Sequence, residues 1–250
     1  MFDDALHTMT LSEDGSFTAY SKEYEEHYHS TKDGALHESL VKHVIPAFKI
    51  MQYKDEINIL DICYGLGFNT LATLYYCKQN NISSKINIYS PELDISLVKS
   101  LKNFTYPKEF EELRDVILEL CENGVYNENS WFVEIFLGDA REYIKTFPRA
   151  MFDIVYQDAF SPRTNPILWT QEYFNDIKNI MKRNGVLTTY STALATRLAL
   201  HENGFNIYIN SGKDFRDATI ASLSELDSFG NTVEMEHKIA CNPEARPLRD

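Results

Sequence analysis

The chain has 250 residues, 44% hydrophobic and 13% aromatic, enough to bury one sizeable core without disulfides or structural metal. Its opening MFDDALHT carries two acids and no apolar leader, and no stretch reaches the ~18 apolar residues of a membrane span, so a soluble cytoplasmic protein without a membrane partner is expected. Lys and Arg total 24 against 37 Asp and Glu, a formal net charge of −13 that opposes attraction to nucleic-acid phosphates.

Four scattered cysteines, Cys63, Cys77, Cys121 and Cys241, form no C-x-x-C pair and read as reduced thiols rather than zinc ligands or disulfides. No repeat or Pro/Gly-rich linker divides the chain. The natural boundary falls near residue 50, giving a small N-terminal β/α extension over 1–50 and an α/β domain over 51–250. In the extension, MTLSEDGSFTAYS predicts two short strands around an Asp14-Gly15 turn, and Gly34 to Phe48 predicts a helix. Glu26, His27, His29, His37 and Glu38 crowd together, yet no H-E-x-x-H helix or tight Cys/His set supports a metal site, so none is expected.

From residue 57 the apolar runs INILDI, KINIYS, WFVEIF, FDIVYQ, GVLTTYS and FNIYIN alternate mostly with helical stretches. Such a rhythm predicts a parallel sheet covered on both faces, doubly wound. FNTLATLYYCKQN suits a packed helix after the first run, and Lys99 to Gly124 adds extra helix. LWTQEYFNDIKNIMK is periodic, with Asn184-Gly185 in place to close it as a C-cap.

The first run ends in Asp61 and enters Cys63-Tyr64-Gly65-Leu66-Gly67-Phe68-Asn69, where a helix begins. Glycines there let the backbone turn and approach a ligand beside helical N–H groups. The third glycine of a dinucleotide fingerprint is missing, and an acid precedes the loop, which favours S-adenosylmethionine over NAD. Glu92 ends the second run, where a carboxylate can accept from both ribose hydroxyls, and Asp139 follows the third, within reach of an adenine amino group. Each acid alone reads as well as a helix cap; three at successive strand ends point to one ligand. After the fourth run comes Asp158-Ala159-Phe160-Ser161-Pro162-Arg163-Thr164-Asn165-Pro166. Open α/β sheets carry their crevice at this end of the strands, and an Asp followed by an aromatic and a proline resembles the acid/Pro/aromatic loop of methyltransferases that act on amino groups, a resemblance that implies oxygens orienting the attacking nitrogen. The competing role for Asp158 is capping the helix near Trp169.

Taken together, EDGSFTAYS, EEHYHSTKDGALHES, DICYGLGFN, DAFSPRTNPILWT and GVLTTYSTALATRLALHENGF resemble, in order from about residue 10 to 220, the methyltransferase domain of the MnmC/MnmD family. The resemblance implies a Rossmann-like S-adenosylmethionine-dependent methyltransferase sheet, acting on 5-aminomethyl-2-thiouridine at the wobble position of tRNA. It implies cofactor contacts at Asp61, Gly65, Gly67, Asn69, Glu92 and Asp139, an active-site role for Asp158, Phe160 and Pro162, and pocket positions for Tyr20, Glu38 and Tyr190. It also implies tRNA rather than DNA as partner. Bifunctional members add a flavin-dependent oxidase domain, which nothing after residue 220 can house, so no FAD is expected. Where the family often has glycine and phenylalanine, this loop starts Cys63-Tyr64. Lys22, Lys32, Arg163, Arg197, Lys213 and Arg216 are the cations available for a local tRNA-facing patch. A small-molecule amine is the alternative substrate, and suits the acidic charge.

Overall fold

Two strands, β1 (His7–Leu11) and β2 (Phe17–Ser21), pair antiparallel with Thr10 opposite Thr18, and the two-residue β3 (Glu26–His27) completes a small sheet. The computed structural model describes residues 2, 6–51, 54–128, 130–226, 229 and 231–250. Asp14 does more than turn the hairpin. Its Oδ1 accepts from the Ser16 amide at 2.8 Å, while Oδ2 accepts from the His37 amide at the start of the following helix. Gly34, at φ 84, leaves room for that carboxylate, because a Cβ there would overlap the Asp14 Cγ at 1.8 Å. The helical stretch begins as α1 (Ala35–Glu38), widens to a π-helical segment over Ser39–Val44, and resumes as α2 (Ile45–Ile50). The boundary expected near residue 50 runs into residues 52 and 53, which lie outside those described.

Beyond it an eight-stranded sheet forms, with strands β4 (Glu56–Ile62), β5 (Lys85–Glu92), β6 (Val125–Glu128), β7 (Trp131–Leu137), β8 (Phe152–Gln157), β9 (Met181–Thr189), β10 (Asn206–Asn210) and β11 (Ala218–Ser222). Their spatial order is β10-β11-β9-β8-β4-β5-β7-β6; β4, β5, β7, β8 and β9 run parallel, and the pairs involving β6, β10 and β11 are antiparallel. This is the Rossmann-like arrangement expected, with two strands beyond the six apolar runs. One is β11, whose Ala, Thr, Ile and Ser side chains are all buried but small. The other, β6, is a polar edge hairpin onto β7.

Along the strands, alternate residues point to opposite layers. Ile57, Ile59, Ile88 and Val133 pack with α2, α3 (Phe68–Gln79) and α5 (Arg114–Asn123); Leu60, Ile62, Val155 and Leu187 pack with α7 (Gln171–Ile180) and α8 (Leu194–Glu202). The helix α7 ends at Ile180, earlier than expected. Asn184-Gly185 is not its cap but lies within β9, near where the register with β8 shifts between Phe152 and Ile154. A carbonyl wall explains the glycine, since a Cβ on Gly185 would stand 2.9 Å from the Lys182 oxygen. Among the described residues no helix is long and apolar enough to cross a membrane.

Candidate active site

The first strand, β4, lies at the centre, with its successor β5 on one side and β8 on the other. At such a switch point the loops leaving neighbouring strands diverge and open a crevice beyond their carboxyl ends. Here the crevice is a cavity of about 1460 Å³, walled by the β4–α3 loop, the ends of β5, β7, β8 and β9, and the segment 23–33 of the extension.

The β4–α3 loop is tightly wound. Gly67 donates to the Tyr64 carbonyl at 2.7 Å and adopts φ 76; a Cβ there would meet the Tyr64 hydroxyl at 2.6 Å. Cys63 takes φ 67, a left-handed conformation that costs a side-chain-bearing residue strain, and that explains why glycine suits this position in the family it resembles. Glu92 braces the loop: its Oε2 accepts from the Gly65 amide at 2.8 Å and its Oε1 from the Asp94 amide at 2.9 Å. Burial raises the Glu92 carboxyl above its usual range, against the pull of those amides.

Asp61 lies beneath this loop, almost wholly buried, and accepts from the Thr70 hydroxyl at 2.8 Å. Burial, with the charge of Asp158 adding to it, pushes its carboxyl up to about 7. Asn69, on the first turn of α3, points its Nδ2 at Asp61 Oδ1, 3.5 Å away, and donates to Asp158 Oδ2 at 2.8 Å. Among the described residues its own buried Oδ1 has no hydrogen-bond partner. Asp158 therefore does not cap the helix near Trp169; Thr170 caps α7, accepting from the Tyr173 amide. Burial alone would raise the Asp158 carboxyl, but His43, His29 and Asn69 together hold it below the usual range. Two acids a few ångströms from one side chain are thus driven apart in proton affinity.

The rest of the Asp158 loop is bound to the extension. Phe160 stacks on Tyr24 with ring centroids 4.8 Å apart and tilts against Tyr28 at 5.0 Å, while the Ser161 hydroxyl donates to Glu26 at 3.0 Å. The Ala159 and Phe160 carbonyls accept from the Tyr190 hydroxyl and the Trp169 indole N–H. Glu38 reaches the cavity wall inside a buried cluster: Lys42 donates to it at 2.7 Å and to Asp33 at 2.8 Å, and the Ser30 amide donates to its other oxygen. Asp139 is exposed at the rim, and its Oδ1 caps α6 (Ala140–Ile144).

Of the residues singled out in the sequence, Gly65, Asn69, Glu92, Asp139, Asp158, Phe160, Glu38 and Tyr190 meet in this wall. Asp61 and Gly67 support it from behind, and Tyr20 and Pro162 stand outside it; the Tyr20 ring instead packs edge-on against His27. Of the candidate cations, Lys32 and Arg216 line the mouth, whereas Arg197 is half-buried against Thr219. Sequence reasoning missed His43 and Tyr24, and weighed Glu26 only within the histidine-rich segment. The His27/His29 segment holds no metal cluster: among the described residues no group of three or more His, Cys, Asp or Glu is placed to hold an ion.

Residues 108–224 match a family described as S-adenosyl-L-methionine-dependent methyltransferase. The crystal structure of MnmC2 from Aquifex aeolicus superimposes with a TM-score of 0.86 at 32% identity, covering 99% of this chain and 80% of that one. The chain belongs to the MnmC methyltransferase family. An uncharacterized protein of Methanocaldococcus jannaschii is 33% identical over 204 residues, 80% of this chain and 55% of its own length. The tRNA 5-methylaminomethyl-2-thiouridine biosynthesis bifunctional protein MnmC of Ralstonia nicotianae is 28% identical over 231 residues, 87% of this chain. The chain spans about half of the archaeal relative and 34% of the Ralstonia one.

The cavity fits the family's cofactor. A glycine loop too tight for side chains, a strand-end Glu92 inside the wall, and the orphaned Asn69 Oδ1 form a polar cradle of the right kind for an amino acid joined to a nucleoside.

Proposed function

We propose that this chain methylates the primary amine of 5-aminomethyl-2-thiouridine at the wobble position of tRNA, as a cytoplasmic enzyme that uses neither flavin nor metal. S-Adenosylmethionine supplies an electrophilic methyl group on a sulfonium. Gly65, Asn69, Glu92 and Asp139 hold it, with Asp61 and Gly67 shaping the loop from behind, and Asp158 orients the amine and takes its proton. Phe160, Tyr190 and Glu38 line the substrate side. Residues 6–50 act as a roof that carries Tyr24 and Glu26 to the catalytic loop.

The observation that carries this reading is Asp158 at the end of β8, kept ionised by its neighbours in the same cavity as the glycine loop and Glu92. An ionised carboxylate beside the amine attracts and orients it, and offers a free oxygen to the proton that must leave before the nitrogen can attack. A small-molecule amine is the second reading, favoured by a rim richer in acids, among them Glu23, Glu26, Asp94 and Asp217, than in the cations Lys32 and Arg216.

Purified protein is incubated with S-adenosylmethionine and tRNA bearing aminomethyl-thiouridine, and digested nucleosides are resolved by mass spectrometry. One added methyl on that nucleoside is expected. Methylation of free amines or nucleosides but not of tRNA would replace this reading with the second.

A further inference from the structure

His43 has no part in the chemistry so far, yet it is completely buried and sits in the π-helical segment between α1 and α2. Such wide turns recur at functional sites, because they re-aim a side chain that a regular helix would point elsewhere. Its Nδ1 stands 2.9 Å from Thr188 Oγ1 on β9, and its Nε2 stands 3.5 Å from Asp158 Oδ1. Among the described residues the Nε2 has no hydrogen-bond partner, while the ring packs edge-on against Tyr156 on β8. Asp158 is thus approached by Asn69 at one oxygen and by His43 at the other.

We propose that His43 is a positioning residue for methyl transfer, holding Asp158 in the orientation from which its carboxylate takes the proton of the substrate ammonium. The assignment rests on the catalytic reading of Asp158 given above. With the Thr188 hydroxyl donating to Nδ1, the ring proton sits on Nε2 and faces the carboxylate, the tautomer that a buried acid needs opposite it. At 3.5 Å the contact is longer than a full hydrogen bond, so it orients Oδ1 electrostatically and leaves a lone pair for a substrate N–H. The balance of the step is simple. The ammonium gives one proton to Asp158, the freed lone pair forms the nitrogen–carbon bond, and the carbon–sulfur bond breaks with its electrons going to sulfur. The product is a secondary ammonium and a neutral thioether. Besides His43, the titratable groups facing Asp158 are His29 from the extension, Asp61 from β4, Cys63 from the glycine loop and Tyr190 after β9. Of these, burial keeps His29 from holding a proton as readily as a free histidine. His43 places its ring nitrogen 3.5 Å from the carboxylate.

The test compares His43→Leu, His43→Gln and Thr188→Val in the full chain. It measures kcat and KM on aminomethyl-bearing tRNA, cofactor affinity by calorimetry, and the Asp158 carboxyl titration by carbon-13 NMR. Leu should lower kcat on the order of 10²-fold, the scale of a misplaced catalytic group, with KM and cofactor affinity unchanged. It should also move the acid limb of kcat and the Asp158 titration to higher pH. Gln, which keeps an N–H donor near the Nε2 position, should recover part of the rate. Thr188→Val should shift the same readouts in the same direction by less. An unmoved Asp158 titration in a folded variant, or a rate loss matched by weakened cofactor binding, would make His43 a packing residue only. If the wild-type protein leaves the tRNA unmethylated, the functional reading fails, and the Asp158 titration in the variants still decides the role of His43. Should the Leu variant not fold, Thr188→Val decides it.

Discussion

Asn69 donates from its Nδ2 to Asp158 Oδ2 at 2.8 Å, so the first turn of α3 and the loop leaving β8 share one partly buried hydrogen bond. The same amide also faces Asp61, at 3.5 Å. The acid at the end of β4 and the acid after β8 are therefore held by a single side chain, on a helix that starts from the glycine loop. Asn69 thus links the glycine loop to Asp158.

Replacing Asn69 by Ala removes the donor to both carboxylates. Loss of a hydrogen bond to a buried charged group should cost about 1.5–3 kcal/mol, read from urea unfolding. Methyl transfer should fall more than cofactor affinity, because Asp158 loses both a partner and its orientation. A variant of full stability and full turnover would show that the bridge carries nothing.

Asp61 gives a pH signature of definite sign. Its carboxyl titrates near 7 in the folded protein, against about 3.8 when unfolded, so folding takes up a proton between those values. The stability it contributes is fully present below about pH 4 and is lost as pH rises through about 7. Asp61→Asn removes this dependence. The variant should gain on the wild-type protein steadily from pH 4 to 7, by a few kcal/mol in all, and then run parallel to it. Urea unfolding across pH 4–8 checks this, and a constant offset at every pH would refute the raised carboxyl.

How much of this was legible in the sequence follows from how local each feature is. The parallel strands β4, β5, β7, β8 and β9 are buried on both faces and read as apolar runs, so the sheet was visible. The last strand, β11, was not, because Ile220 is the one large apolar residue in Ala218–Ser222 and the rest are Ala, Thr and Ser, although all are buried. Glu92 and Asp158 were visible because each ends its own strand, and strand ends are where such a sheet puts its chemistry. His43 was invisible: its partner Thr188 lies 145 positions away, and nothing around it in the chain marks a site. Pro162 and Tyr20 lie near cavity residues in sequence, but neither lines the cavity. Glu26 and Tyr28 sat in the histidine-rich segment weighed as a metal site, and their contacts to the Asp158 loop appear only once the extension folds over it.

That roof makes its own prediction. Glu26 accepts from Ser161 and Tyr24 stacks on Phe160, so the extension and the catalytic loop are fastened at two adjacent residues. Glu26→Ala with Tyr24→Ala should leave the Rossmann-like core intact and loosen the loop. The expected result is higher KM for the substrate, with cofactor affinity little changed, and faster hydrogen exchange of the loop amides at 160–165. Unaltered exchange would show that Trp169 and Tyr190, which hold the loop carbonyls, suffice to fix it.

The same geometry sharpens what should happen when Asp158 itself is changed. An Asn in its place has nearly the same shape, but Asp158 accepts from Asn69 on one side and faces His43 on the other. An amide must turn its NH₂ toward one of these two donors, leaving that donor unpaired in a buried site, so Asn is not a silent isostere here. It also cannot receive the ammonium proton. The maximal rate of Asp158→Asn should therefore fall about 10²–10⁴-fold, the usual range for loss of a positioned proton acceptor. Asp158→Ala removes the mispaired NH₂ and opens space for water, which can take the proton, so Ala should be no slower than Asn. Cofactor affinity, measured by calorimetry, should hold in both variants, because Gly65 and Glu92 are untouched. An Asn variant that turns over at the wild-type rate would mean that orientation by one oxygen is all that Asp158 provides, and the proton then leaves by another route.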